Sequence, residues 1–294
     1  MTSVPAAAHP SPPDRPERPS TPTGRDLPPP WPAWSSVAAL IAGFGAATVA
    51  AVMIGLLGAL GGASLSDPPP SVGIPSIVAQ DACLIGAALL FARMTAIPRP
   101  WQFGLRPPRS VWVAAGLVVA GYLVFLGFSA GWLAAIGQSN EKDTITKDLG
   151  ADDSTIALIL VTFVVTVCAP LAEEFFFRGY FFGALRRQGL WPAAVLTGIC
   201  FGLVHVFGSP IAFLLPLACL GTGLCLLRNF TGSLYPCIAL HCMNNSFAMA
   251  SSEHWGWEIP VTLVGAALCI TLLIRLGLRV WGPDPDTVRA PSLA

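Results

Sequence analysis

The chain has 294 residues, of which 54% are hydrophobic and 11% are charged, and its mean hydropathy is +0.66. Ordinary soluble domains carry about 25% charged residues. The composition therefore excludes a typical soluble domain and predicts a polytopic membrane protein whose main partner is the lipid bilayer. The formal net charge is zero and no basic face is visible, so we expect no nucleic-acid partner.

The chain begins with a polar segment and continues as a series of apolar runs. Residues 1–33 are rich in Pro, Ser, Thr and charge, so we predict a disordered Pro-rich cytoplasmic tail. The apolar runs that follow are long enough to be membrane-spanning helices; they lie at about 34–62, 75–97, 111–136, 155–186, 191–207, 211–228, 234–252 and 258–280. The predicted fold class is all-α, a polytopic membrane helix bundle of about eight transmembrane helices. The fourth run is longer than a bilayer requires, and Pro170 permits it to bend.

The positions of the charges predict the topology of these helices. If the N-terminus is cytoplasmic, all fourteen arginines lie on the cytoplasmic side or in the inner half of a span, while the only lysines, Lys142 and Lys147, lie in one acidic outer loop. The positive-inside rule then places both termini in the cytoplasm. Sparse lysine beside abundant Ala, Gly, Pro and Arg suggests a GC-rich bacterial genome, so we expect a multi-pass protein of the bacterial plasma membrane.

The eight cysteines have no paired C-x-x-C spacing and are interpreted as apolar packing residues. The predicted divisions of the chain are the tail at 1–33, N-terminal transmembrane helices at 34–136, a transmembrane core at 155–252, a last transmembrane helix at 258–280 and a C-terminal tail at 281–294.

Two adjacent carboxylates, Glu173 and Glu174, lie inside the fourth apolar run, and Arg178 follows one turn later. Ionised groups at membrane depth cost roughly +2.5 to +3.5 kcal/mol each on insertion scales, so such residues indicate a functional site. The alternative is a helix end in contact with water. Glu174 and Arg178 are spaced to pair on one helical face, which leaves Glu173 facing another direction.

Polar residues on two further helices lie at a similar depth. From the inner ends of their spans, Glu173 lies roughly 20 Å into the membrane, His205 roughly 21 Å, and His241 and Asn245 roughly 15 and 21 Å. We therefore predict that these four residues meet in one catalytic or ion-handling pocket, with Phe201 packed one turn below His205. The alternative for each alone is a packing histidine or an asparagine that joins helices.

The ordered motifs resemble those of a known family, the CPBP (Abi) intramembrane proteases, which include the CAAX prenyl endopeptidases. The motifs are Glu-Glu-x-x-x-Arg at Glu173, Glu174 and Arg178, Phe-x-x-x-His at Phe201 and His205, and His-x-x-x-Asn at His241 and Asn245. The resemblance covers roughly 155–252, which it implies is the catalytic core. The stretch Gly104-Leu105-Arg106 also looks like a feature of these proteins.

The resemblance implies an intramembrane endopeptidase that cleaves a membrane-associated peptide or protein. Glu173 would activate a water as general base, with His205 holding that water. His241 and Asn245 would donate hydrogen bonds to the oxyanion. Glu174, Arg178 and Phe201 would have structural roles, and the bundle would enclose a conical cavity open to the cytoplasm and the lipid.

A zinc-dependent mechanism is the main alternative for the same residues. Glu173, His205 and His241 would then be three ligands of a catalytic zinc, with water in the fourth position. No H-E-x-x-H motif is present, and we prefer glutamate-dependent catalysis without a protein-bound metal. Two other classes stay open: a non-catalytic bacteriocin-immunity or membrane scaffold protein, and a proton-coupled carrier that uses Glu173 and His205 as a relay.

Overall fold

The computed structural model describes residues 28–141, 145–253, 256 and 258–281. Within these residues the protein is helical and contains no strand, which confirms the all-α prediction. The described part of the chain contains eight long helices: α1 (Ala33–Leu60), α2 (Pro70–Thr95), α3 (Val111–Ala135), α4 (Thr155–Gln188), α5 (Leu190–Phe207), α6 (Ile211–Thr231), α7 (Tyr235–Ser252) and α8 (Glu258–Trp281). Residues 1–27 of the predicted N-terminal tail and residues 282–294 of the C-terminal tail lie outside the described residues.

Each long helix lies at one of the predicted apolar runs. Among the described residues, α1 to α6 are long and apolar enough to cross a membrane. Helix α7 is 18 residues long but carries the polar residues His241, Asn244 and Asn245, and α8 contributes a shorter apolar segment, Glu258–Leu272. The structure is therefore a polytopic helical bundle in which six of the eight predicted spans qualify by length and composition.

Helices α5 and α6 pack closely because glycine replaces side chains along their contact. A Cβ atom at Gly198 would collide with the backbone of Ala218 and Thr222 on α6. A Cβ atom at Gly202, four residues later, would collide with the backbone of Leu214. Small residues spaced by four allow the backbones of membrane helices to approach in this way. This contact fixes the end of α5, where His205 lies.

Helix α4 contains two π turns, at Val164–Cys168 and Phe175–Phe181. In the first, the Ala169 N–H bonds to the Val164 carbonyl five residues back, instead of to Val165. The next residue is Pro170, which has no N–H to offer. The Val165 carbonyl is therefore left without a partner from its own helix. The predicted bend at Pro170 thus takes the form of a π turn, a feature that occurs frequently at functional sites.

Aromatic packing joins the middle of α4 to the N-terminal part of the chain. Trp31 is buried, and its ring lies 4.9 Å from those of both Phe103 and Tyr180, measured between centroids. The Tyr180 hydroxyl donates a hydrogen bond of 2.8 Å to Ser35 on α1. These contacts hold the second π turn, and with it the charged residues of α4, in one register against α1.

Candidate active site

Glu174 is the centre of a buried hydrogen-bonded chain. Its Oε1 accepts hydrogen bonds from Arg178 Nη1 at 2.7 Å and from His241 Nδ1 at 2.8 Å. The side chains of Glu174 and Arg178 are fully buried, and that of His241 is 3% exposed. The expected pairing of Glu174 with Arg178 is present, and the link from this pair to His241 on α7 is an addition that the sequence did not predict.

Glu173 faces a different direction and lies between two imidazoles. Its Oε2 is 3.9 Å from Nε2 of His205 and 3.9 Å from Nε2 of His241. The Oε2 atom is buried and has no hydrogen-bond partner among the described residues. A water that makes hydrogen bonds of about 2.8 Å to two atoms can bridge a gap of this width. The structure therefore brings together Glu173, His205 and His241, three of the four residues that the depth comparison predicted to meet.

The tautomer of each histidine follows from the hydrogen bond that its Nδ1 makes. His205 Nδ1 lies 2.7 Å from the Phe201 carbonyl, which can only accept, so Nδ1 carries the proton. His241 Nδ1 donates to the Glu174 carboxylate. In the neutral form each imidazole therefore presents Nε2 to Glu173 as an acceptor. His241 can donate from Nε2 only as the doubly protonated imidazolium.

Phe201 packs against three of these groups at once. Its buried ring lies 4.7 Å from the His205 ring and 5.6 Å from the His241 ring, and the Arg178 guanidinium carbon is 4.2 Å from its centroid. The predicted contact with His205 is present. Phe201 also limits the space around His241 and supplies a ring face to the buried cation of Arg178.

Asn245 lies one turn beyond His241 and reaches the backbone of α4. Its Nδ2 donates a hydrogen bond of 2.9 Å to the Val165 carbonyl, the group left unpaired by the first π turn and Pro170. Asn244 Nδ2 donates to the Asn245 Oδ1 at 3.3 Å. One N–H of the Asn245 amide is therefore used to join α7 to α4.

Asp81 on α2 is a buried acidic residue that the sequence analysis did not predict to lie near the site. It is 6% exposed, and neither of its carboxyl oxygens has a hydrogen-bond partner among the described residues. Helix α2, which carries Asp81, packs against the Ala169–Glu174 segment of α4. The signal was available, because Asp81 is an ionisable residue within the apolar run 75–97.

The zinc alternative depends on whether the three donors can surround one ion. Their chemistry is suitable, because each histidine has an oxygen acceptor at Nδ1 of the kind that orients zinc ligands. Ligands of a tetrahedral zinc at 2.0–2.1 Å lie roughly 3.3 Å apart, whereas Glu173 Oε2 lies 3.9 Å from each imidazole nitrogen. Among the described residues no group of three His, Cys, Asp or Glu side chains is arranged to hold a metal. The donors do not fit a zinc ion as they stand.

These features define a class: a polytopic helical membrane protein with a carboxylate and two histidines enclosed between its helices. Residues 155–247 match the family described as type II CAAX prenyl endopeptidase Rce1-like, which confirms the resemblance to the CPBP and CAAX proteases over about a third of the chain. The matched segment includes the motif residues of α4, α5 and α7, from Glu173 to Asn245, whereas Asp81 and the Gly104-Leu105-Arg106 stretch lie outside it. No curated protein and no solved structure matches the chain.

Proposed function

We propose that the protein is an intramembrane endopeptidase that hydrolyses a membrane-associated peptide or protein with a water activated by Glu173. The observation that carries this proposal is the position of Glu173 Oε2, buried without a hydrogen-bond partner among the described residues and 3.9 Å from two imidazole nitrogens. A general base needs a water within hydrogen-bond reach and a second group that holds the water. Glu173 and His205 supply these two functions.

We propose that His241 takes part in the reaction as an imidazolium. In that form Nδ1 donates to Glu174, as it does in the structure, and Nε2 can donate toward the reacting carbonyl.

In the proposed reaction, the water donates hydrogen bonds to Glu173 and to the neutral Nε2 of His205. As the water oxygen attacks the scissile carbonyl, its proton passes to Glu173. The oxygen of the tetrahedral intermediate accepts from His241 Nε2, and the second N–H of Asn245 is the other proposed donor. The C–N bond then breaks, and Glu173 returns its proton to the leaving amine.

We also propose how the rest of the chain serves this site. Residues 155–252 form the catalytic core, while the helices of 34–136 enclose it and 258–280 forms the last helix. Burial of the Glu173 side chain to 14% exposure supports a site that is shielded from bulk water. The plasma membrane of a bacterium, with both termini in the cytoplasm, is the proposed location on the basis of the arginine distribution.

The test is peptide hydrolysis in water enriched in ¹⁸O. Purified protein in lipid nanodiscs is incubated with lipid-anchored and unanchored peptides, and the products are read by mass spectrometry. We expect cleavage of anchored peptides with one ¹⁸O in the new carboxyl terminus, loss of cleavage in Glu173→Gln, and unchanged turnover after exhaustive chelation with metal content measured in parallel. Turnover that falls with metal content would support zinc chemistry instead, and proton-coupled uptake without cleavage would support a carrier.

A further inference from the structure

Five arginines line one cavity at the end of the bundle formed by the connections after α2, α4 and α6. They are Arg106, Arg109, Arg178, Arg186 and Arg228. The cavity has a volume of about 110 Å³, several times the roughly 10–15 Å³ that a single water requires. Arg178 is its only described lining residue that also belongs to the candidate active site, so the cavity is a separate site that shares one wall with it.

Two glycines with left-handed backbone conformation position arginines of this cavity. Gly104 has φ +84°, and the Arg228 guanidinium packs directly where a Cβ atom at Gly104 would be. Gly232 has φ +69°, and its carbonyl accepts a hydrogen bond of 2.8 Å from Arg106 Nε. Any other residue at Gly104 would be strained and would displace Arg228. Gly104 and Arg106 belong to the short stretch that the sequence analysis singled out.

The described residues that line the cavity include five arginines, and none of these described residues is acidic. The Nε of Arg228 and the Nε and Nη2 of Arg178 are buried without a hydrogen-bond partner among the described residues. Arg186 Nη2 donates to a neutral acceptor, the Asn229 Oδ1, at 2.8 Å. Like charges held this close repel one another unless an anion lies between them.

We propose that this cavity binds a phosphate-type anion. Guanidinium groups match the oxygens of a phosphate with paired hydrogen bonds, and several of them converge here from different segments. A phosphate group also carries up to two negative charges, which balances more of the cluster than a single carboxylate does. The phosphate belongs either to a lipid headgroup at this end of the bundle or to a soluble phosphate compound.

The occupant of the cavity is connected to the candidate active site through Arg178. Nη1 of Arg178 holds Glu174, and Glu174 holds His241 Nδ1. An anion that takes the Nε and Nη2 of Arg178 therefore lies one side chain away from the carboxylate that orients His241. An anion bound in the cavity would therefore hold the Arg178 guanidinium by Nε and Nη2, while Glu174 holds it by Nη1.

The test uses the full chain, purified in a neutral detergent without phosphate and titrated with inorganic phosphate, short-chain phosphatidylglycerol or short-chain phosphatidylcholine. Thermal unfolding is the readout, with chloride at equal ionic strength as the baseline. Arg186→Gln removes a partly exposed guanidinium of the cavity, and Arg187→Gln is the matched control because Arg187 is exposed and does not line it. We expect binding about tenfold weaker in Arg186→Gln, as for the loss of one charge-assisted hydrogen bond, and unchanged in Arg187→Gln.

Each outcome separates the sources or overturns the proposal. Stabilisation by inorganic phosphate that Arg186→Gln weakens supports a soluble phosphate, and stabilisation only by phosphatidylglycerol supports a headgroup. Arg186→Lys keeps the positive charge but loses the paired N–H donors of the guanidinium. Its affinity for phosphate should therefore lie between those of the wild type and Arg186→Gln. No stabilisation by any of the three compounds, or equal weakening in the Arg186→Gln and Arg187→Gln variants, overturns it. Peptide hydrolysis is not the readout, so this result is independent of the proposed protease activity.

Discussion

His241 is the residue on which the candidate site depends, because it contacts both adjacent carboxylates of α4. Its Nδ1 bonds to Glu174 at 2.8 Å, and its Nε2 lies 3.9 Å from Glu173 Oε2. The two neighbouring glutamates point in different directions, so Glu174 contacts the imidazole at Nδ1 and Glu173 faces it at Nε2. This arrangement gives the two glutamates different tasks, and the difference can be measured.

Replacement of each carboxylate should separate chemistry from stability. Glu173→Gln should yield a folded protein without turnover, because the amide cannot accept the water proton. Glu174→Ala should lower the free energy of unfolding, since loss of one partner of a buried ion pair costs roughly 3–5 kcal/mol. Thermal unfolding and peptide cleavage of both variants test this assignment. Retained turnover in Glu173→Gln, with equal stability of the two variants, would mean that the roles are exchanged.

Asn245 is expected to contribute to both stability and turnover. Asn245→Ala leaves the Val165 carbonyl without its donor, which should cost about 1–3 kcal/mol of unfolding free energy. If the amide also donates to the oxyanion, kcat should fall about 10²–10³-fold while KM changes little. Asn140→Ala, at an exposed loop residue, is the control. A loss of stability with no loss of kcat would show that Asn245 only joins α7 to α4.

Asp81 should affect the stability of the bundle. Its buried carboxyl oxygens have no hydrogen-bond partner among the described residues, and a buried polar group without a partner costs free energy that an apolar side chain does not. Asp81→Leu should therefore raise the unfolding temperature. Asp67→Leu, in an exposed loop, is the control. A lower unfolding temperature in Asp81→Leu would show that the carboxyl group stabilises the protein.

At the scale of elements, apolar runs and charge spacing predicted where the helices lie and which polar residues meet. They did not predict the π turns of α4, because a proline predicts a bend without specifying which carbonyl loses its partner. The contact between Asn245 and Val165 was therefore not foreseeable. The bond between Glu174 and His241 depends on the rotation of α7 against α4, which sequence spacing within each helix does not determine.

The close contact of α5 with α6 should be sensitive to a single methyl group. Gly198→Ala places a Cβ atom against the backbone of α6, which forces the helices apart and should lower the unfolding temperature and displace His205. Gly223→Ala on α6 is the matched control, because a Cβ atom there meets nothing within 4 Å, and the exchange should be neutral or stabilise the helix by about 0.5–1 kcal/mol. Unfolding and turnover of the two variants are the measurements. Equal unfolding temperatures and equal turnover in Gly198→Ala and Gly223→Ala would contradict the close packing of α5 against α6.

At the scale of the whole molecule, the arginine distribution predicts the orientation of the bundle. Reporter fusions after Arg106 and Arg187 should read cytoplasmic, and a fusion after Lys147 should read external. The arginine-lined cavity would then face the cytoplasm, where anionic headgroups and soluble phosphates are both available. A cytoplasmic signal at Lys147 would contradict the assigned number of spans before α4.

The proposed role of Glu173 as the base of a protease can be tested in cells before any substrate is identified. Cells that express wild type or Glu173→Gln at equal levels are compared by quantitative proteomics of membrane-protein termini. We expect at least one membrane-associated protein to have a new terminus in cells with wild type that is absent in cells with Glu173→Gln. Identical sets of termini in the two strains, with both proteins folded in the membrane, would contradict the role of Glu173 in proteolysis.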